Sequence, residues 1–121
     1  MALFIYEALD LYTWLTMKED IVVIDVRGLS SYTDFLVIAS GTSDRHVQSV
    51  AELVEKEMRD EKVHTIGSEG LREGQWALVD FGSVVVHVFH QFTREVYDLE
   101  SLWQDAPRLQ IVPPANVGTG G

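Results

Sequence analysis

Two apolar runs of strand length constrain the fold of this chain more than any other feature. Ile21–Val26 and Phe35–Ser40 consist almost entirely of valine, isoleucine and other apolar residues. A strand with one face in water would alternate apolar and polar residues, whereas a continuous apolar run is typical of a strand covered on both faces. We therefore expect both runs to form inner strands of a sheet that lies between two layers.

The first helix is predicted at Leu3–Met17. Its polar residues, Glu7, Asp10 and Thr13, form a narrow stripe, and the rest of its surface is apolar. Packing on one sheet would use less apolar surface than this helix offers. The helix is therefore either deeply buried within the chain or packed on a second subunit, and the sequence leaves both alternatives open.

Two further helices are predicted between and after the strands. Ser43 is a good N-cap for a helix that extends to about Asp60 with one apolar face. Thr93 can cap a last helix that continues to Trp103 and ends before Pro107. This order of helices and strands predicts an α/β (α+β) domain with a mixed β-sheet flanked by helices. We expect residues 1–106 to form this domain and residues 107–121, rich in proline and glycine, to form a flexible C-terminal tail.

The strongest local signal is a β-hairpin. Trp76–Phe81 and Val84–His90 are strand-like, and the Gly82-Ser83 pair between them suits a two-residue turn with glycine first. The predicted pairs are Phe81–Val84, Asp80–Val85, Val79–Val86, Leu78–His87, Ala77–Val88 and Trp76–Phe89. Side chains alternate across a strand, so this register also assigns the faces. The predicted core face is Ala77, Val79, Phe81, Val84, Val86 and Val88.

The opposite face of the hairpin is predicted to bind a partner. Its residues combine aromatic, aliphatic and ionisable side chains: Trp76, Leu78, Asp80, Val85, His87 and Phe89. A tryptophan beside polar groups is typical of an interface anchor. The sequence also allows an alternative, in which a helix covers this face and Asp80 pairs with His87.

The charge balance indicates what kind of partner this is. Nineteen acidic residues against nine basic ones give a net charge of −10. Phosphate backbones are bound by lysine and arginine, so we expect no direct, sequence-specific nucleic-acid binding. A charged partner would be basic, although the acids could equally serve only to keep the protein in solution. No apolar run reaches the length of a membrane span and no basic leader is seen, so we expect a cytoplasmic protein without membrane or targeting segments.

The sequence contains no pattern that predicts catalysis, a metal or a cofactor. Cysteine is absent, and His87 and His90 point to opposite faces of one strand, so they cannot share an ion. Gly41–Ser43 lies between a strand and a helix, where phosphates often bind, but it lacks the spacing and lysine of a P-loop. The following Asp44 would also repel a phosphate. We expect no catalytic residues.

Six segments, taken in order, resemble the ribosomal silencing factor family, also called the Iojap-like family. They are Asp20–Ser31, Asp34–Arg45, Gly67–Gly70, Gly74–Gly82, Val84–His90 and Thr93–Trp103. Phe81 stands where the family commonly has tyrosine, and Ser83 stands where aspartate is common. Both departures concern polar contacts at the hairpin tip.

The resemblance implies that residues 1–106 are a ribosomal silencing factor domain with a nucleotidyltransferase-like core and a tendency to form a homodimer. It also implies a non-enzymatic repressor of translation under nutrient limitation. The protein would bind the large ribosomal subunit through its basic universal ribosomal protein fourteen and block association with the small subunit. The alternative is a nucleotide-binding enzyme or enzyme relic of the same fold. Such an enzyme would need paired acids, but neither Asp25 nor Asp80 has a second acid two residues away.

Overall fold

The described part of the chain is a mixed sheet with helices on its two faces. A computed structural model describes residues 21–60 and 62–109. The strands are β1 (Val22–Asp25), β2 (Phe35–Gly41), β3 (Gly67–Glu69), β4 (Trp76–Asp80), β5 (Val84–His90) and β6 (Arg108–Leu109). The helices in these ranges are α1 (Asp44–Asp60), α2 (Gln91–Tyr97) and α3 (Leu99–Leu102). The predicted mixed α+β architecture is confirmed, whereas the nucleotidyltransferase-like detail stays a prediction. The helix predicted at Leu3–Met17 lies outside the described residues.

The strand order places the two apolar runs at inner positions of the sheet, as their composition predicts. The order is β3-β4-β5-β2-β1-β6. Strands β2 and β5 pair in parallel, and the other pairs are antiparallel. The two apolar runs form β1 and β2, both of which have a neighbour on each side. Because β2 and β5 are parallel, the chain must cross over between them, and α1, β3 and β4 lie in that connection.

Each face of the sheet has its own core. On one face α1 buries Val47, Val50, Ala51, Val54 and Met58, the apolar positions of its helical repeat. These side chains pack on the predicted core face of the hairpin. On the other face, buried residues of β1, β2 and β5 pack with Ala106 and with the half-buried Leu99 and Trp103. The region of α2 and α3 therefore covers the face on which we predicted partner binding.

The hairpin has the predicted register. Strands β4 and β5 pair Trp76 with Phe89 and Asp80 with Val85, and the three pairs between them also agree. At the tip, the Phe81 amide donates to the Val84 carbonyl at 2.9 Å. Gly82 has a φ of +91°, a conformation that glycine adopts without a side-chain clash. The faces assigned from the sequence are therefore correct.

The last predicted helix differs from the observed structure. The helical segment begins three residues earlier than expected, because His90 rather than Thr93 is its cap and the His90 side chain accepts the Phe92 amide at 3.2 Å. Thr93 is therefore not the cap; its hydroxyl is buried and donates to Gln75 at 2.7 Å. At Asp98 the backbone turns left-handed with a φ of +47°, which separates α2 from α3. Aspartate tolerates this conformation better than most residues.

The folded part extends slightly beyond the boundary expected at residue 106. Arg108 and Leu109 form β6 and pair with Ile24 and Val23 of β1. The Asp25 amide also donates to the Pro107 carbonyl at 2.8 Å. A pair of residues after a proline carries too little periodicity for sequence analysis to identify a strand. Residues 110–121 of the predicted tail lie outside the described residues.

Candidate partner-binding surface

The six predicted partner-binding residues fall into two groups. Val85, His87 and Phe89 are buried, because β5 has a strand on each side and is covered by the α2 and α3 region. Trp76, Leu78 and Asp80 on β4 are partly exposed. A buried side chain cannot contact a docking protein, so the predicted contact role is corrected for the three β5 residues. They lie beside the exposed row of β4 on the same face of the sheet, one strand further in.

Trp76 is held rigidly at one end of this row. Its indole Nε1 donates to the His87 Nδ1 atom at 3.0 Å. Its ring stacks on Phe89 with a centroid distance of 4.9 Å and lies 4.8 Å from the Tyr97 ring. A large aromatic side chain that is fixed before binding loses little conformational entropy on docking. Trp76 therefore has the geometry of an interface anchor.

Asp80 lies at the opposite end of the exposed row. Its carboxylate accepts the Gly82 amide at 2.8 Å, which stabilises the hairpin turn. The alternative in which Asp80 pairs with His87 is wrong, because the structure gives the two side chains different partners: Asp80 accepts the Gly82 amide and His87 accepts the Trp76 indole. The other half of that alternative, a helical cover, is correct for β5.

His87 is neutral and has a defined tautomer. Because Nδ1 accepts a hydrogen bond, the ring proton lies on Nε2. Burial lowers the pKa of His87 from 6.5 to about 4. Protonation would place a charge in this core and remove the acceptor for Trp76. The anchor therefore depends on the neutral form of His87.

We predict that His87 makes the fold sensitive to acid. The folded pKa lies below the unfolded one, so the contribution of His87 is complete above pH 6.5 and is lost as the pH falls toward about 4. The full loss is at most about 3 kcal/mol of unfolding free energy. In His87→Gln the amide oxygen can still accept the Trp76 indole, but it does not titrate. The unfolding free energy measured in urea should therefore fall more steeply with decreasing pH in wild type than in His87→Gln. Equal slopes would contradict the assigned role of His87.

A group of exposed apolar residues on α2 was not predicted from the sequence. Phe92 and Val96 are 68% and 64% exposed, and Tyr97 is also exposed. With Trp76, Gln75 and Thr93 they line an open groove of about 290 Å³. The detectable signal was the spacing of Phe92 and Val96, one helical turn apart. Because the helix was predicted to begin at Thr93, Phe92 lay outside it and its spacing to Val96 did not indicate an exposed helical face.

A second, polar cavity of about 350 Å³ lies where β2 ends. It is lined by Ser40, Gln91, Arg94, Glu95, Asp98 and Glu100. The guanidinium of Arg94 is engaged by the Glu100 carboxylate at 2.9 Å and by the Ser40 hydroxyl at 2.6 Å. A phosphate entering this cavity would meet three carboxylates, so the cavity does not favour a nucleotide.

The turn that precedes α1 has the contacts of a helix cap. The Ser43 hydroxyl accepts the His46 amide at 3.1 Å, as predicted for an N-cap. The Thr42 amide donates to His46 Nδ1 at 2.9 Å. Two backbone donors at this turn, the amides of Thr42 and His46, are therefore already used. Within residues 21–60 and 62–109, no cluster of three or more histidine or acidic side chains could hold a metal ion.

Comparison with known proteins assigns the family. The family model described as "Ribosomal silencing factor during starvation" matches residues 9–118. The chain belongs to this family. A ribosomal silencing factor from Bacillus subtilis is 43% identical over 93 residues, which cover 77% of this chain and 79% of that protein.

More distant relatives and a solved structure agree with the family assignment. A mouse protein named for mitochondrial assembly of the large ribosomal subunit is 41% identical over 87 residues, which are 69% of this chain and 38% of the mouse protein. A crystal structure of a Chromobacterium violaceum protein matches with a TM-score of 0.77 and 33% identity, covering 96% of this chain and 92% of that one. In the described ranges, no helix is long and apolar enough to cross a membrane.

Proposed function

We propose that the protein represses translation by binding the large ribosomal subunit and preventing the small subunit from joining it. Its contact would be the basic universal ribosomal protein fourteen, and the block would be steric. Membership in the ribosomal silencing factor family supports a role at the ribosome. The observation that carries the proposal is Trp76, a half-buried aromatic side chain fixed by His87 and Phe89 at the surface of β4.

The charge of the chain favours a basic protein partner. The net charge is −10, and Asp80 places one carboxylate at the end of the exposed row. Complementary charge speeds encounter with a basic protein and opposes contact with bare RNA. The row of Trp76, Leu78 and Asp80 spans about 13 Å along β4, which is long enough for one element of a partner to lie across it.

We propose further that the protein acts without catalysis, since the Arg94 guanidinium in the polar cavity and the Thr42 amide at the α1 turn bind groups of the chain itself. It acts in the cytoplasm, where it meets free large subunits, and it needs neither cofactor nor metal. We also propose that it has a tendency to form a homodimer, which fits the surplus of apolar surface predicted for Leu3–Met17.

Co-sedimentation with purified ribosomal subunits tests the proposed partner. We expect the wild-type protein to pellet with large subunits and to stay in the supernatant with small subunits. Large subunits stripped of basic proteins at high salt should lose binding, because the contact is with a protein. Equal retention on both subunits, or on stripped RNA, would contradict the proposal.

The Asp80 carboxylate is predicted to contribute to binding through its charge. Asp80→Lys should weaken binding to large subunits about tenfold, since it places a cation against a basic partner. Asp80→Asn keeps an acceptor for the Gly82 amide and should cause a smaller loss. Glu52→Lys, with the same charge change on an exposed position of α1, is the control. If Glu52→Lys weakens binding as much as Asp80→Lys, the effect of Asp80 is not local.

A further inference from the structure

Among residues 21–60 and 62–109, the apolar groove beside Trp76 is open and its apolar side chains are exposed. The side chains of Phe92, Val96 and Tyr97 on α2 are exposed to solvent. The buried residue of this helix is Thr93. A soluble protein usually exposes apolar side chains singly rather than together around one groove. The grouping of three such residues beside Trp76 therefore requires an explanation.

The walls of the groove are fixed in position. Trp76 is held by His87 and Phe89 and packs against Tyr97. Gln75 joins the two sides, because its amide oxygen accepts from Thr93 and its amide nitrogen donates to Asp44 of α1 at 2.5 Å. Its backbone carbonyl also accepts the His90 amide at 2.8 Å. A groove built on such contacts is present before a partner arrives, which lowers the entropic cost of binding.

The charge around the groove indicates a basic occupant. Residues 91–105 contain four acids, Glu95, Asp98, Glu100 and Asp105, against one base, Arg94. Of the acids, Glu95 and Asp98 are exposed and are the sequence neighbours of Val96 and Tyr97, although they line the polar cavity rather than the groove itself. An apolar groove on an acidic segment of an acidic chain fits a protein segment that carries an apolar side chain among lysines and arginines.

We infer that the α2 groove, formed by Trp76, Phe92, Val96 and Tyr97, receives an apolar side chain from a basic segment of the ribosomal protein partner. The inference rests on the proposed function and extends its contact surface from β4 onto α2. Trp76 lines the groove and also begins the exposed row of β4, so the two surfaces are continuous. The partner would therefore lie across both elements.

Val96→Lys tests the groove directly. The Val96 side chain is exposed, so the fold should persist, while a cation among the apolar side chains that line the groove should weaken binding to purified large subunits at least tenfold. Ser49→Lys carries the same charge change on the exposed side of α1, across the sheet, and should bind like wild type. Unchanged affinity of folded Val96→Lys, while wild type binds, would overturn the groove and leave the proposed function intact. Failure of wild type itself to bind would overturn both.

A cross-link identifies the class of the occupant. A benzophenone amino acid placed at position 92 should, on irradiation with purified large subunits, become attached to a basic ribosomal protein. The same group placed at position 49 should give no specific product. Attachment at position 92 to ribosomal RNA would overturn the assignment of a protein segment to the groove.

Discussion

Trp76→Ala is expected to lower the affinity for large ribosomal subunits at least thirtyfold. Truncation of a central aromatic anchor commonly costs more than about 2 kcal/mol of binding free energy. Trp76 contributes twice to the proposed surface, since it begins the row on β4 and forms a wall of the α2 groove. Its loss also removes the hydrogen bond that orients His87.

The measurement is an equilibrium titration of labelled protein with purified large subunits, after circular dichroism has shown that the variant is folded. Trp76→Phe is the matched control, because it keeps an aromatic ring on Phe89 but lacks the indole N–H. We expect it to retain most of the affinity. If folded Trp76→Ala binds like wild type, the proposed surface lies elsewhere on the molecule.

Phe89→Ala is expected to have the largest effect on stability. Phe89 is completely buried in β5, between the sheet and the region of α2 and α3, and it supports the Trp76 ring. Replacing a buried phenylalanine by alanine typically costs about 3–5 kcal/mol through lost burial and the remaining cavity. For a domain of this size that is a large part of the unfolding free energy.

Phe92→Ala provides the comparison, three residues along the chain. Its ring is mostly exposed, so the same truncation should change the unfolding free energy by no more than about 0.5 kcal/mol. It should nevertheless weaken binding to large subunits, because Phe92 lines the groove. Urea unfolding and subunit titration of both variants separate the two roles. Equal destabilisation by both would contradict the assignment of one ring to the core and the other to the surface.

The fold was predictable where the chain repeats a simple pattern. Continuous apolar runs gave the inner strands, helical periodicity gave α1, and a glycine turn gave the complete register of the hairpin. Each of these depends on residues close in sequence. Strand β6 was not predictable, because its two residues are held by pairing with β1, more than 80 residues earlier in the chain.

The candidate site was only half predictable for the same reason. Alternation along the hairpin correctly placed Trp76 and His87 on one face, but it could not show which strand a helix would cover. That depends on where α2 begins, and the cap is the His90 side chain rather than the expected Thr93. The burial of His87 and the exposure of Phe92 both follow from this position of the helix.

The joining of purified large and small ribosomal subunits, followed by light scattering, tests directly whether the protein blocks their association. Wild-type protein added to the large subunits should prevent joining in proportion to its occupancy. Folded Trp76→Ala should leave joining unchanged at the same concentration, and Ser49→Lys should inhibit like wild type. If large subunits saturated with the wild-type protein join small subunits as readily as free ones do, the protein does not act by steric block.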